Sequence, residues 1–216
     1  MTTRLLILDF DGTLADTAGG IVATMNATFR TIGRPEADAG DICQTIGLPL
    51  TQSIALLAGI REEAELRHAV DTYHSLFETI GVQATSLFPH VRETLCRLHE
   101  EGLAMAIATS RGGKSVRALC AKLGIAPYLT AYVAEEDVES KKPAPDAVRM
   151  LLDMTHTPAE AAWVVGDTVF DIEMGHQAGC PACGVTYGNH PRARLEAAGA
   201  DRLIDDFAQL PSILHG

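Results

Sequence analysis

Two aspartates one residue apart, Asp9 and Asp11, stand at the end of an unbroken apolar run, Leu5-Leu6-Ile7-Leu8, and are followed by Gly12 and Thr13. Alternate side chains of a strand share a face, so a strand continuing through these residues would aim both carboxylates the same way. Like charges that close repel unless a cation or a shared proton relieves them. A divalent metal does the first, and general acid/base chemistry uses the second. Gly12 breaks the strand and lets backbone amides approach a ligand. The plain alternative is an acidic turn after a strand, since Asp and Gly are common turn residues.

Three further stretches carry residues of the same kind. Thr109-Ser110-Arg111 follows a second apolar run, Lys141-Lys142-Pro143-x-Pro145 precedes a helical pattern, and Gly166-Asp167-x-x-x-Asp171 follows another apolar run. Each has an ordinary account. Thr109 and Ser110 suit a helix cap, Lys141 and Lys142 suit a solvated loop, and Asp167 and Asp171, one helical turn apart, suit a helix amino end. Whether they act together depends on the elements that carry them.

Those elements read as alternating strands and helices. The apolar run over 5–8 suits a strand covered on both faces. Further strands are expected over 103–108, 128–134, 161–165, 182–186 and 203–204, with helices between them and a last one over 207–214. Between Asp16 and Thr85 nothing reads as a strand. Ile21, Met25, Phe29 and Ile32 recur at helix spacing, shorter helices are expected over 39–45 and 50–57, and Leu66, Val70, Tyr73, Phe77 and Ile80 form one stripe. The expected fold is α/β, a doubly wound parallel sheet over residues 1–15 and 86–216 with an all-helical insertion over 16–85. Carboxyl ends of such strands gather at one edge, so Asp9, Thr109 and Asp167 can converge although far apart in sequence.

A net charge of −11 argues against nucleic acid or an anionic membrane as the main partner. No apolar run reaches the roughly 20 residues of a membrane span, and a cytoplasmic monomer or homodimer is expected. Of five scattered cysteines, Cys180 and Cys183 have the spacing of a redox or metal pair. They close a helix rather than open one, and no second pair supplies zinc ligands, so both are expected to be small buried residues.

With all four stretches in order on this scaffold, the chain resembles the haloacid dehalogenase-like superfamily, in the subgroup with a helical cap between the first and second motifs. The resemblance implies a Mg2+-dependent phosphatase. Asp9 would attack phosphorus and form an aspartyl-phosphate, and Asp11 would protonate the leaving oxygen. Asp9, the main-chain carbonyl of Asp11 and Asp167 would hold the metal, with Asp171 directly or indirectly beside it. Thr109, the Ser110 amide, Gly12 and Lys142 would bind the phosphoryl group.

Asp11 favours phosphate chemistry over dehalogenation, because dehalogenating members carry an uncharged residue there. The family's sugar-phosphate mutases usually carry a cap histidine about a dozen residues past the nucleophile, and residues 15–31 contain none. The stretch 44–53 around Gly47 resembles phosphoglycolate phosphatases and their pyrophosphatase relatives, and would face the site when the cap closes. Arg111 and Lys114 are candidate contacts for a second anionic group of the substrate. A small phosphate ester, phosphoglycolate first, is therefore the expected substrate; the alternatives are a phosphotransferase, a pyrophosphatase or a non-catalytic binding protein.

Overall fold

The computed structural model describes residues 3–214. β1 (Leu5–Leu8) leads through a turn to β2 (Ala15–Asp16), then to four helices, α1 (Ala18–Thr31), α2 (Ala39–Gln44), α3 (Leu50–Ala58) and α4 (Glu63–Phe77). β3 (Ser86–Leu87) and α5 (Val91–Glu100) follow, then β4 (Ala104–Ala108), α6 (Gly113–Lys122), β5 (Ala131–Val133) and α7 (Asp146–Thr155). The remainder is β6 (Ala162–Gly166), α8 (Val169–Gln177), β7 (Ala182–Val185), α9 (Arg192–Ala197), β8 (Arg202–Ile204) and α10 (Leu210–Leu214).

Six strands form one sheet in the order β5-β4-β1-β6-β7-β8, and every pairing in it is parallel. β1 lies inside it, flanked by β4 and β6, and its four side chains are fully buried. That explains the unbroken apolar run: both faces of a central strand are covered, and each such side chain contributes about 1.5–3 kcal/mol on burial. The strand order reverses beside β1, so the crevice for a ligand opens at its carboxyl end.

The helical insertion enters and leaves side by side. β2 pairs antiparallel with β3, Ala15 opposite Leu87 and Asp16 opposite Ser86. This ribbon escaped the sequence reading because strands of two residues show no period. α1 packs along α4, and the insertion's Phe29, Ile54 and Tyr73 join one continuous cluster with the sheet's Leu6, Leu8 and Ile107.

The strand expected over 128–134 is shorter, because Pro127 favours a 3-10 turn at Ala126–Tyr128. The last expected helix is a 3-10 turn at Phe207–Gln209 continuing into α10. Among the described residues no helix is long and apolar enough to cross a membrane.

Candidate active site

The sheet places Asp9 directly after β1 and Asp167 directly after β6, and Asp171 lies in the first turn of α8. One carboxylate oxygen from each of the three lies within 4.8 Å of the others, and all three side chains are buried. Lys142 enters the cluster from the loop before α7. Its Nζ donates to Asp9 Oδ1 at 2.5 Å and to Asp171 Oδ1 at 2.6 Å.

Asp167 and Asp171 are also held by groups outside this cluster. Asp167 Oδ1 accepts from Thr13 Oγ1 at 3.0 Å, and its Oδ2 accepts from the Asn189 main-chain N–H at 2.7 Å and from Asn189 Nδ2 at 2.8 Å. Asp171 Oδ2 accepts from the Thr168 N–H and hydroxyl, at 3.0 and 2.7 Å, as the N3 residue of a capping box. One Asp171 oxygen thus caps α8, and the other faces Lys142. Gly12 makes the close approach possible. It has φ +90°, and a Cβ there would lie 2.2 Å from Asp167 Oδ2.

Three buried carboxylates face one ammonium, which leaves negative charge uncompensated. Burial pushes the Asp9 carboxyl well above its usual range, and Lys142 offsets this only in part. Burial, followed by the neighbouring charge of Asp171, brings Asp167 up to about 7. Burial alone would lower the Lys142 pKa, yet Asp171 and Asp9 hold it above the ordinary lysine value. An all-oxygen carboxylate set with charge to spare fits a hard divalent cation.

Asp11 does not join this cluster. The strand stops at Leu8, and the chain turns so that Leu14 and Ala15 both donate to the Phe10 carbonyl at 3.1 and 3.0 Å. The strand thus ends before either acid, so the turn rather than strand alternation brings Asp9 and Asp11 to the same cavity. The Asp11 carboxylate meets Arg111 instead, with Nη2 to Oδ1 at 2.5 Å and Nε to Oδ2 at 3.0 Å. Both side chains are largely buried, at 13% and 9% exposure for Asp11 and Arg111. The guanidinium also sits 4.4 Å from the ring centre of Phe77, at the end of α4. Arg111, expected as a contact for a second substrate anion, is thus engaged by an acid of the site itself.

Thr109, buried, follows β4, and its N–H donates to Val133 at 3.1 Å. The Ser110 hydroxyl donates to the Gly47 carbonyl at 2.7 Å, which joins the sheet edge to the loop between α2 and α3. Gly47 has φ +100°, and a Cβ there would press on Thr168 and Phe170 at 3.2 Å. Lys114 is exposed in the first turn of α6. Asp9, Asp11, Thr109, Ser110, Gly47 and Lys114 all line one cavity of about 340 Å³ between the sheet edge and the helical insertion.

Sequence reasoning gave no role to Thr13, Asn189 or Tyr187. Tyr187 donates its hydroxyl to the Thr13 carbonyl at 2.9 Å, steadying the turn that carries Gly12. Tyr187 and Asn189 follow β7, so the carboxyl end of a further parallel strand was a usable signal. The insertion's Tyr73 and Phe77 were read only as a helix stripe, and both line the cavity.

The haloacid dehalogenase-like hydrolase model matches residues 6–185. Probable phosphatase IndB of Dickeya dadantii is 35% identical over 98% of this chain and 93% of its own length. A phosphoglycolate phosphatase of Pectobacterium atrosepticum is 32% identical over 98% of this chain and 93% of its own. A crystal structure from Bacteroides fragilis, described as a haloacid dehalogenase-like hydrolase, superposes with a TM-score of 0.91 at 26% identity, covering 96% of this chain and 99% of that one. The chain therefore belongs to the haloacid dehalogenase-like hydrolase family. Within it the chain is a phosphoric monoester hydrolase of the phosphoglycolate phosphatase-like branch.

Proposed function

We propose that the chain is a Mg2+-dependent phosphatase of a small phosphorylated metabolite, and that Asp9 carries the phosphoryl group between the ester and water. The observation that carries this is Asp9 itself: buried at the carboxyl end of β1, held by Lys142, and within 4.8 Å of Asp167 and Asp171. In the first step an Asp9 oxygen attacks phosphorus, the bond from phosphorus to the leaving oxygen breaks, and Asp11 supplies that oxygen's proton. In the second, Asp11 takes a proton from water as it attacks phosphorus, and the bond to Asp9 breaks.

Asp9, Asp167, Asp171 and the Asp11 carbonyl are the groups available to Mg2+, which when bound offsets charge on the phosphoryl oxygens. Thr109, the Ser110 amide and Lys142 hold those oxygens, and Gly12 gives the chain room to approach them. Arg111 fixes the orientation of Asp11. The helical insertion, residues 16–85, acts as a cap whose closure, through Ser110 and Gly47, keeps bulk water from the intermediate.

Phosphoglycolate heads the panel of esters because curated relatives bear that name. Phosphate release is measured from phosphoglycolate, sugar phosphates, nucleotides and pyrophosphate, with Mg2+ and with excess EDTA. Release from at least one ester that EDTA abolishes supports the proposal. Release unaffected by EDTA removes the metal from it, and release from none, with the protein folded and Mg2+ present, overturns it.

A further inference from the structure

We infer, resting on the phosphatase reading above, that His190 is a positioning residue: it joins the cap loop to the turn after Asp167 by giving its Nε2–H to the Gln44 carbonyl as the cap seats on substrate. His190 follows β7 and is 1% exposed. Its main-chain N–H donates to the Asp167 carbonyl at 3.3 Å, and its Nδ1 accepts from the Val169 N–H, the first of α8, at 3.0 Å. An imidazole nitrogen that accepts carries no proton, so the ring's proton stands on Nε2. Capping α8 therefore explains one nitrogen only. The other, Nε2, is buried and makes no hydrogen bond.

The cap loop stands over this ring. The Phe170 ring centre lies 5.7 Å from that of His190, and Phe170 and Thr168 are the groups against which Gly47 is packed. Burial and then Arg194 lower the imidazole pKa, whereas Asp171 and the main chain of Gln44, the last residue of α2, act in the opposite direction. A main-chain group favours the protonated ring by accepting from it, so the Gln44 carbonyl is near the ring without being bonded to it. A buried donor left unpaired is costly, and a small movement of the loop between α2 and α3 would pair it. The same loop already accepts from Ser110 through Gly47, so His190 gives it a second hold on the core, on the side of the metal acids.

The test has two parts. With the best ester of the panel and Mg2+, His190→Phe, shown folded by circular dichroism, should raise KM by about three- to tenfold with kcat little changed, and His190→Gln, which keeps one acceptor and one donor, should recover part of the loss. An unchanged KM in His190→Phe, or no recovery in His190→Gln, would overturn the inference. The second part uses the wild type alone, labelled with 15N-histidine and followed by NMR. The His190 proton should be on Nε2, and its exchange with water should slow when Mg2+ and orthovanadate are added at concentrations that inhibit phosphate release. A proton on Nδ1, or an exchange rate that inhibition leaves unchanged, would overturn the inference whether or not the variants fold, and would leave the phosphatase reading standing. Release from no ester of the panel by the wild type would overturn both.

Discussion

On the sheet side of the cavity, Asp9, Asp167, Asp171 and Lys142 are buried and bonded to one another or to Thr13, Thr168 and Asn189. On the helical side, the lining is largely aliphatic and aromatic, the Thr45 and Ser53 hydroxyls are turned back onto the backbone, and Tyr73, His74 and Glu78 add polar groups. The floor is a set of buried charges with negative charge in excess, while the roof is lined by side chains of the packed core, Ile21, Met25, Tyr73 and Phe77 among them. Under the proposed mechanism the difference separates two tasks, moving a phosphoryl group on the floor and closing over the rest of the substrate at the roof.

The largest effect should come from removing the floor's nucleophile. Asp9→Asn keeps the shape and should lower phosphate release on the order of 10⁴-fold or more while the fold, followed by circular dichroism, is kept. Lys142→Ala comes next, because it strips two buried carboxylates of their shared partner. Turnover should fall by about 10²–10³-fold, and denaturant unfolding should show a loss of about 3–5 kcal/mol. Mg2+ should raise the unfolding free energy of the wild type by about 2.7 kcal/mol at a hundredfold excess over its Kd, and Asp167→Asn should diminish that gain.

Where floor meets roof the effects should be smaller. Arg111→Ala releases Asp11 and removes the stack on Phe77. A misplaced acid should reduce kcat by up to about 10²-fold, with Arg111→Lys recovering part of it. Ser110→Ala removes one bond to Gly47 worth about 0.5–1.5 kcal/mol. It should appear mainly as a several-fold rise in KM, and an unchanged KM would detach the cap from Ser110. Smallest of all, replacing Cys180 and Cys183 by Ala should leave kcat/KM unchanged. Both thiols are buried, one beside and one within β7, and burial pushes them up to about 11 and about 12.

Chain order and residue type made most of the floor legible. Asp9, Thr109 and Asp167 each follow an apolar run, and parallel topology brings such ends to one edge whatever their separation in sequence. By residue type Lys142 was legible only as a loop charge near two prolines, and the resemblance alone gave it a place at the phosphoryl group; that it reaches both Asp9 and Asp171 is a property of the fold. The pairing of Asp11 with Arg111 spans 100 residues and leaves no local trace, so Arg111 read as a candidate contact for a substrate anion. On the roof, Phe77 read as core and is core, but its ring also carries the guanidinium. Periodicity says which face is buried, not what it is buried against.

The most direct measurement of the central claim is acid-quenched turnover followed by mass spectrometry of the peptides. During steady hydrolysis of a substrate with Mg2+, the peptide containing Asp9 should carry one phosphoryl group on that residue, absent before substrate is added and absent in Asp9→Asn. Brisk turnover with an unmodified Asp9, or with the phosphoryl group on any other residue, would contradict the account.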